Sequence, residues 1–553
     1  MKTYMELKKI LTYLFLVIVL HAVVSCGDEL EQSPSDQFDK ANFWTNESNA
    51  LIGLSGVYRG NISYGTGANP NPDDWWSYKG LVIFEHTTDN AFDRRGANAL
   101  TNKLTNGTLL PDNGVVEAYW KASYIKIAIA NDFLENIGRV SMDAAKIKRM
   151  TAEVRFIRAC QYFYLSQFWG AVPLVKTTLK PAEANVITKT PKADVVAFVI
   201  NELTEAAVDL PRYKDIPLKE FGRASQQAAL AFLGRIYLAE KKYSQASIAY
   251  KQIIDYGDNT IANDYSSIFN TLNETSSEII FSMQYAPVLA QNAITQHCYP
   301  ANKGGWHLTN PLESLASQYD FTDGTPFSYS DSRFNSRNMG VNRDPRFAAT
   351  FLYDQCTFGG KVYDCDPDHS SSVDQLTYSK QATRTGYGLR KFFDENFTGA
   401  LGTDYGGNLP IIRYAEVLLS YLESELEGGK PITQDLLNMT INKTRGRTSV
   451  KMPPVTVTDA TALRPILRKE RRIELALEGI RYWDLLRWGI LGDVMQGDFW
   501  GASFPLSTKT GSKADPTGNK RWYVDTKAFR KGVDEVWPIP QSETNINPGL
   551  LSK

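Results

Sequence analysis

Residues 151–175 read TAEVRFIRACQYFYLSQFWGAVPLV, and the fold turns on this stretch. Val154, Phe156, Ile157, Ala159, Cys160, Tyr162, Phe163, Tyr164, Leu165 and Phe168 leave almost no solvated face at helical spacing. A helix here must therefore be covered by other helices around most of its circumference. Glu153, Arg155 and Arg158 fall within two turns of that apolar wall, where charges need partners. Arg158 and Tyr162 lie one turn apart and share a side. Gly170 supplies a stop near Phe168–Trp169, and Pro173 prevents continuation. The spacing predicts a buried structural helix with internally paired charges, and no catalysis is needed to explain it.

Such a helix needs neighbours. Ala41 to Tyr58 carries Phe43, Trp44, Ala50, Leu51, Leu54 and Tyr58 at helical spacing, with Asn42 or Thr45 as the cap. Glu117 to Ile137 repeats the pattern through Tyr119, Trp120, Tyr124, Ile127, Asn131 and Leu134, and should pack antiparallel to the core helix. In Ala228 to Tyr256, Leu233-Gly234-x-x-Tyr237 followed by Ala246 and Tyr250 matches the tetratricopeptide pattern, in which small residues let two helices approach and large ones fill the gap. One such unit cannot bury its face alone. Helices over 193–209, 412–427 and 462–481 complete a mainly α, helical-repeat scaffold. Glu278-Ile279-Ile280-Phe281 reads as a short strand, while 60–112 and 286–407 are irregular and rich in Gly, Asn and Asp.

Several function classes drop out on composition. The 553 residues carry 60 basic and 61 acidic side chains for a net charge of −1, with no long basic run, so nothing favours nucleic-acid binding and none is expected. No GxSxG, HExxH or phosphate loop is present, no Cys/His spacing suits zinc, and no cofactor is implied. Beyond the leader, histidine is confined to His86, His297, His307 and His369. Cys356 and Cys365 flank Gly359-Gly360, a hairpin turn that would set the pair across two strands, open to a disulfide in an oxidising compartment. Aromatics make up 12% of residues, with 11 Trp and 28 Tyr, enough for sugar-stacking faces beyond the core.

The N-terminus sets the compartment. Lys2, Lys8 and Lys9 precede an apolar run from Ile10 to Val24, too short for a lasting span and read as a secretory signal over 1–25. Val23-Val24-Ser25-Cys26 resembles a bacterial lipobox, making Cys26 the lipidated residue, and several acyl chains give stable anchoring. Gly27-Asp28-Glu29-Leu30-Glu31 resembles the surface-export signal of Bacteroidetes lipoproteins, although an ordinary acidic linker reads the same. Residues 26–40 form a lipidated tether.

The remaining motifs carry a resemblance. Glu153-x-Arg155-Phe156-x-Arg158-Ala159-x-x-Tyr162-Phe163 with Trp169-Gly170-x-Val172-Pro173-Leu174 resembles the signature helix of the SusD/RagB family of nutrient-binding outer-membrane lipoproteins. So do Trp120-x-x-x-Tyr124-x-x-Ile127-x-x-x-Asn131, Asp344-Pro345-Arg346, Asn442-x-x-Arg445-x-Arg447 and Trp537-Pro538-Ile539-Pro540. Glu470-Arg471-Arg472-x-Glu474-Leu475-Ala476-x-Glu478-Gly479-x-Arg481 follows the family pattern nearly position for position. In isolation the acids one turn apart suggest a glycosidase, but alternating arginines point to an ion-pair network.

The resemblance implies a single domain over 41–553, with scaffold about 41–59, 113–285 and 408–490, and variable ligand-binding loops about 60–112 and 286–407. It also implies a non-catalytic cell-surface protein that captures glycans and hands them to a TonB-dependent SusC-like transporter in the outer membrane. A peptide-binding import lipoprotein of the RagB type is the alternative, and an exported glycan-degrading enzyme a remote one. Loop composition, rather than any motif, nominates the contacts. Trp306, after two glycines, is the first platform, and Trp75 and Trp76 form a second surface or pack their loop. Asp89, Asn90, Arg94, His297, Tyr299 and His307 are the polar candidates.

Overall fold

The computed structural model describes Met5 and residues 43–60, 74–377 and 381–551. Apart from Met5, the predicted signal, the Cys26 lipidation site and the tether lie outside the described residues. Asn46 accepts a hydrogen bond from the Asn49 amide and opens α1 (Glu47–Arg59), one residue later than the expected Thr45 cap; Asn42 is not among the described residues. Asn113 caps α2 (Gly114–Asn136), and Asp143 caps α3 (Ala144–Phe168), which closes at Trp169 as Gly170 predicts. The scaffold continues through α4 (Lys192–Asp209), α5 (Gln226–Ala239), α6 (Tyr243–Tyr256), α7 (Tyr414–Glu427) and α8 (Ala460–Glu474). Each of these eight helices packs on the next in chain order, the nearest-neighbour stacking of helical-repeat proteins.

The charges of α3 are paired as its burial requires. Arg158 donates to Glu202 Oε2 (2.9 Å) on α4 and to Asn131 Oδ1 (2.7 Å) on α2. Glu153 accepts from Arg223 Nε (3.0 Å) and Tyr58 Oη (2.7 Å). Tyr162 Oη, on the Arg158 side, donates to Val175 O (3.0 Å), tying the helix to the segment beyond Pro173. Where α5 crosses α6, a Cβ on Gly234 would stand 2.4 Å from Tyr250 Cζ, so only glycine admits the ring. That contact is the tetratricopeptide spacing expressed in atoms.

Strands are short and all pair antiparallel. β1 (Ala91–Asp93) pairs with β3 (Thr309–Pro311), and β2 (Ile279–Met283) with β8 (Leu409–Arg413). β4 (Phe351–Leu352) pairs with β7 (Gly388–Leu389), β5 (Cys356–Phe358) with β6 (Lys361–Tyr363), and β9 (Gln496–Ser503) with β10 (Arg521–Ala528). Ile412 and Arg413, read as helix, thus close a strand before α7 begins. The β9–β10 hairpin lies where the sequence suggests no element. Cys356 and Cys365 are free, because the β5–β6 register sets Cys356 opposite Tyr363 and carries Cys365 two residues past it. The Cys365 thiol instead donates to Gly386 O (3.1 Å).

The helix expected over 462–481 ends at Glu474. Leu477 and Gly479 take φ of 63° and 76°, and a Cβ on Gly479 would meet Leu81 Cα at 2.8 Å, so the chain unwinds where the backbone of Gly80 and Leu81 presses in. It rewinds as α9 (Arg481–Arg487). The acids around this break are all engaged. Glu474 faces Arg346 (2.9 Å), Arg413 (3.1 Å) and Arg447 (2.8 Å), Glu470 faces Arg346 (2.6 Å), and Glu478 faces Lys391 and Arg413 (both 2.7 Å). This is the ion-pair network the alternating arginines predict. Among the described residues no helix is long and apolar enough to cross a membrane.

Candidate ligand-binding surface

The β1–β3 ribbon is the device that gathers the candidates. Asn310 stands opposite Phe92 and Thr309 opposite Asp93, and the Arg94 amide then donates to Leu308 O (3.0 Å). Two loops more than two hundred residues apart in sequence therefore meet edge to edge. Arg384 joins them as a third segment: its amide donates to Asn310 Oδ1 (2.8 Å) and its Nε to Arg94 O (3.1 Å). Asn310 Nδ2 in turn donates to His307 O (3.0 Å). The β9 strand braces this segment, with the Ala502 amide donating to Thr385 O (2.6 Å).

Of the residues nominated from the sequence, Trp306 and Arg94 reach the surface, and the others sit beneath it. Trp306 is half-buried, its amide held by Gln296 O (2.7 Å) and its ring lying on His297 with centroids 4.8 Å apart. His297 is itself buried and contacts Tyr78 Oη at 3.2 Å, so a column of three rings runs from the interior to Trp306. Tyr299 is fully buried, donating from Oη to Asp394 O (2.6 Å). His307, also fully buried at φ 52°, lies with Nε2 3.4 Å from Tyr363 Oη. Burial, helped by the nearby Arg94 charge, pulls its pKa down to about 3, so the ring is neutral.

The second surface proposed for Trp75 and Trp76 is overturned. They are 2% and 1% exposed: both lie in the turn just before the short helix Tyr78–Leu81 that Ser77 caps, and both rings enter the core. Trp75 stacks between Tyr119 (4.3 Å) and Tyr164 (4.6 Å) and donates from Nε1 to Ser123 Oγ (3.0 Å). Trp76 packs on Phe281 (5.1 Å). Asp89 and Asn90 likewise belong to a buried junction rather than to a ligand face. Asp89 accepts from Arg481 Nε (2.9 Å) and faces Arg472 (2.8 Å), while Asn90 bridges Arg472 Nε and Glu85. Burial alone would raise the Asp89 pKa, but Arg472 and Arg481 hold it down at about 2.

Arg384 is the member of this surface that sequence reading misses. It is exposed in a loop without aromatic or motif signal, and only its bonds to Arg94 and Asn310 reveal its place. Two recesses of about 430 and 440 Å³ lie elsewhere, one beside Asp366 and Phe504, the other between Tyr124 and Ile546. Among the described residues no group of His, Cys, Asp and Glu is arranged to hold a metal ion.

Comparison with known proteins adds kinship. A family model described as SusD family matches residues 266–552, and one described as "Starch-binding associating with outer membrane" matches residues 63–238. The crystal structure of a SusD-like carbohydrate binding protein from Bacteroides fragilis is 47% identical, covers 92% of this chain and 99% of its own, and superposes with a TM-score of 0.89. A SusD-like protein of Formosa agariphila is 24% identical over 99% of this chain and 98% of its own length. The starch-binding protein SusD of Bacteroides thetaiotaomicron is 24% identical over 52% of this chain and 53% of its own.

Proposed function

The chain belongs to the SusD family, and from that membership and the half-buried ring of Trp306 we propose that it is a non-catalytic glycan-binding lipoprotein of the outer membrane. The observation that carries the reading is the ring column ending in Trp306. A flat aromatic face takes the C–H face of a sugar ring, and the neighbouring polar groups read its hydroxyls. Because His297 already supports the far side of the Trp306 ring, little side-chain freedom is lost on binding.

The lipobox at Cys26 supports anchoring, and the acidic residues after it support export to the cell surface. A TonB-dependent barrel transporter is the partner the family resemblance implies, with this chain delivering captured oligosaccharide to it. Catalysis is not part of the reading: Glu470, Glu474 and Glu478 are committed to arginine and lysine partners, which leaves no free carboxylate pair there for acid and base roles. The test is calorimetric titration of the chain without residues 1–26 against neutral polysaccharides, oligosaccharides and peptides. Saturable binding of a glycan is the expected result. Binding of peptides alone would replace the reading with a peptide-import role, and turnover of a glycan would replace it with an enzyme.

A further inference from the structure

We propose that Arg94 and Arg384 form a clamp on the β1–β3 edge, where the Arg94 amide bonds Leu308 two residues beyond Trp306, for an anionic group on the glycan, either a uronate carboxylate or a sulfate ester. The proposal rests on the glycan-binding reading above and narrows its substrate class.

Three arginines, Arg94, Arg95 and Arg384, converge on the β1–β3 edge, and Arg95 alone is neutralised. Its Nε and Nη2 grip Asp93 (3.0 and 2.7 Å), whose carboxylate also accepts from Thr101 Oγ1 (3.1 Å) and lies 3.5 Å from His86. Asp89, the other acid of this loop, is consumed by Arg472 and Arg481. Neither Arg94 nor Arg384 has an ion-pair partner among the described residues. Arg94 Nε is buried without an acceptor there. Burial, with Arg384 and Arg95 beside it and only Asp93 opposing them, pulls the Arg94 pKa below its ordinary value.

A merely solvated pair of arginines would sit apart, each head group in water. Here a bond prevents it: Arg384 Nε is spent on the Arg94 backbone carbonyl, so the Arg384 side chain is held against the main chain of Arg94, close enough for the two charges to repel. A half-buried guanidinium with an unmet donor and a like-charged neighbour is costly unless an anion completes it, and guanidinium matches planar or tetrahedral oxyanions through paired N–H donors. Loops fixed by Asn310 and braced by β9 supply the rigidity such a clamp needs. His307 beneath them is neutral and adds no competing charge.

Matched ligands that differ only in charge decide the matter. The chain without residues 1–26 is titrated with polygalacturonate oligomers and their methyl esters, and with a sulfated galactan and the same polymer after desulfation. The charged member of one pair should bind about tenfold tighter than its neutral form, lose that preference in R94Q/R384Q, and weaken as salt is raised. The pair that shows the effect tells carboxylate from sulfate. R384Q alone, at an exposed position, should lower the preference while the chain still melts cooperatively, which guards against misfolding of the double variant. Equal binding of charged and neutral members, or a preference untouched by R94Q/R384Q, overturns the clamp and leaves the glycan reading intact. Binding of no member of either pair overturns the clamp as well. The neutral panel described above then shows whether the glycan reading falls with it.

Discussion

At the scale of single residues, identical chemistry meets opposite fates. Trp75, Trp76 and Trp306 all follow polar or glycine-rich runs, and composition marks all three as loop aromatics. What separates them is their partners: Ser123 and Phe281 hold the first two in the core, while a Gln296 carbonyl holds the Trp306 amide in a loop near the surface, and none of these is a property of local sequence. Buried polar residues are similarly opaque: Asp89 and Asn90 look like ligand groups until Arg472 and Arg481 arrive from the far end of the chain. Their neighbour Glu85 yields a prediction. Burial pushes its carboxyl up from 4.5 to about 7, against hydrogen bonds from Asn90, Arg481 and Gly479. The native state thus keeps a proton that the unfolded chain releases. This group's contribution to stability is complete below about pH 4.5 and is lost as pH rises through about 7. E85Q, which mimics the protonated acid, should gain on the order of 2–3 kcal/mol relative to wild type between those limits. Denaturant unfolding over a pH series measures it, and parallel curves for the two proteins would refute the assignment.

Elements were the most legible scale where periodicity was unbroken and the least where long-range contact overrode it. The course of α3, its stop before Gly170 and its internally paired charges could be read from Thr151 to Val175 because a helix apolar on nearly every face has few alternatives. The break after Glu474 could not, since it depends on Gly80 and Leu81 pressing against Gly479. The β9–β10 hairpin had no clean alternation to announce it. Two substitutions probe the elements that were read. G234A places a methyl into the Tyr250 ring and should destabilise by about 1–3 kcal/mol. The same change in a Y250A background should cost less, and equal costs in the two backgrounds would mean the helix crossing is not what Gly234 serves. E474Q leaves Arg346, Arg413 and Arg447 short of a shared carboxylate whose pKa they hold well below the usual range. Breaking so buried a network should cost about 3–5 kcal/mol in urea unfolding, and a loss under about 1 kcal/mol would show the three arginines re-pairing among the remaining acids.

For the whole molecule, the division of labour explains what sequence does and does not disclose. A stacked helical scaffold is specified redundantly, by motifs scattered from α1 to Trp537, and one contiguous core joins Trp44 to Trp537. The loops it carries owe their arrangement to a three-residue ribbon, one asparagine side chain and a hydrogen bond between Arg384 and Arg94, signals too small to see before folding. The central claim is that binding lives on that loop face while the aromatic core beneath only supports it. Calorimetric titration of W306A and W75A with the glycan that wild type binds tests this most directly, with thermal melting in parallel. The account predicts that W306A melts like wild type and loses at least about tenfold in affinity, and that W75A melts lower yet binds normally while folded. Wild-type affinity in W306A would contradict it and place the sugar on another face of the molecule.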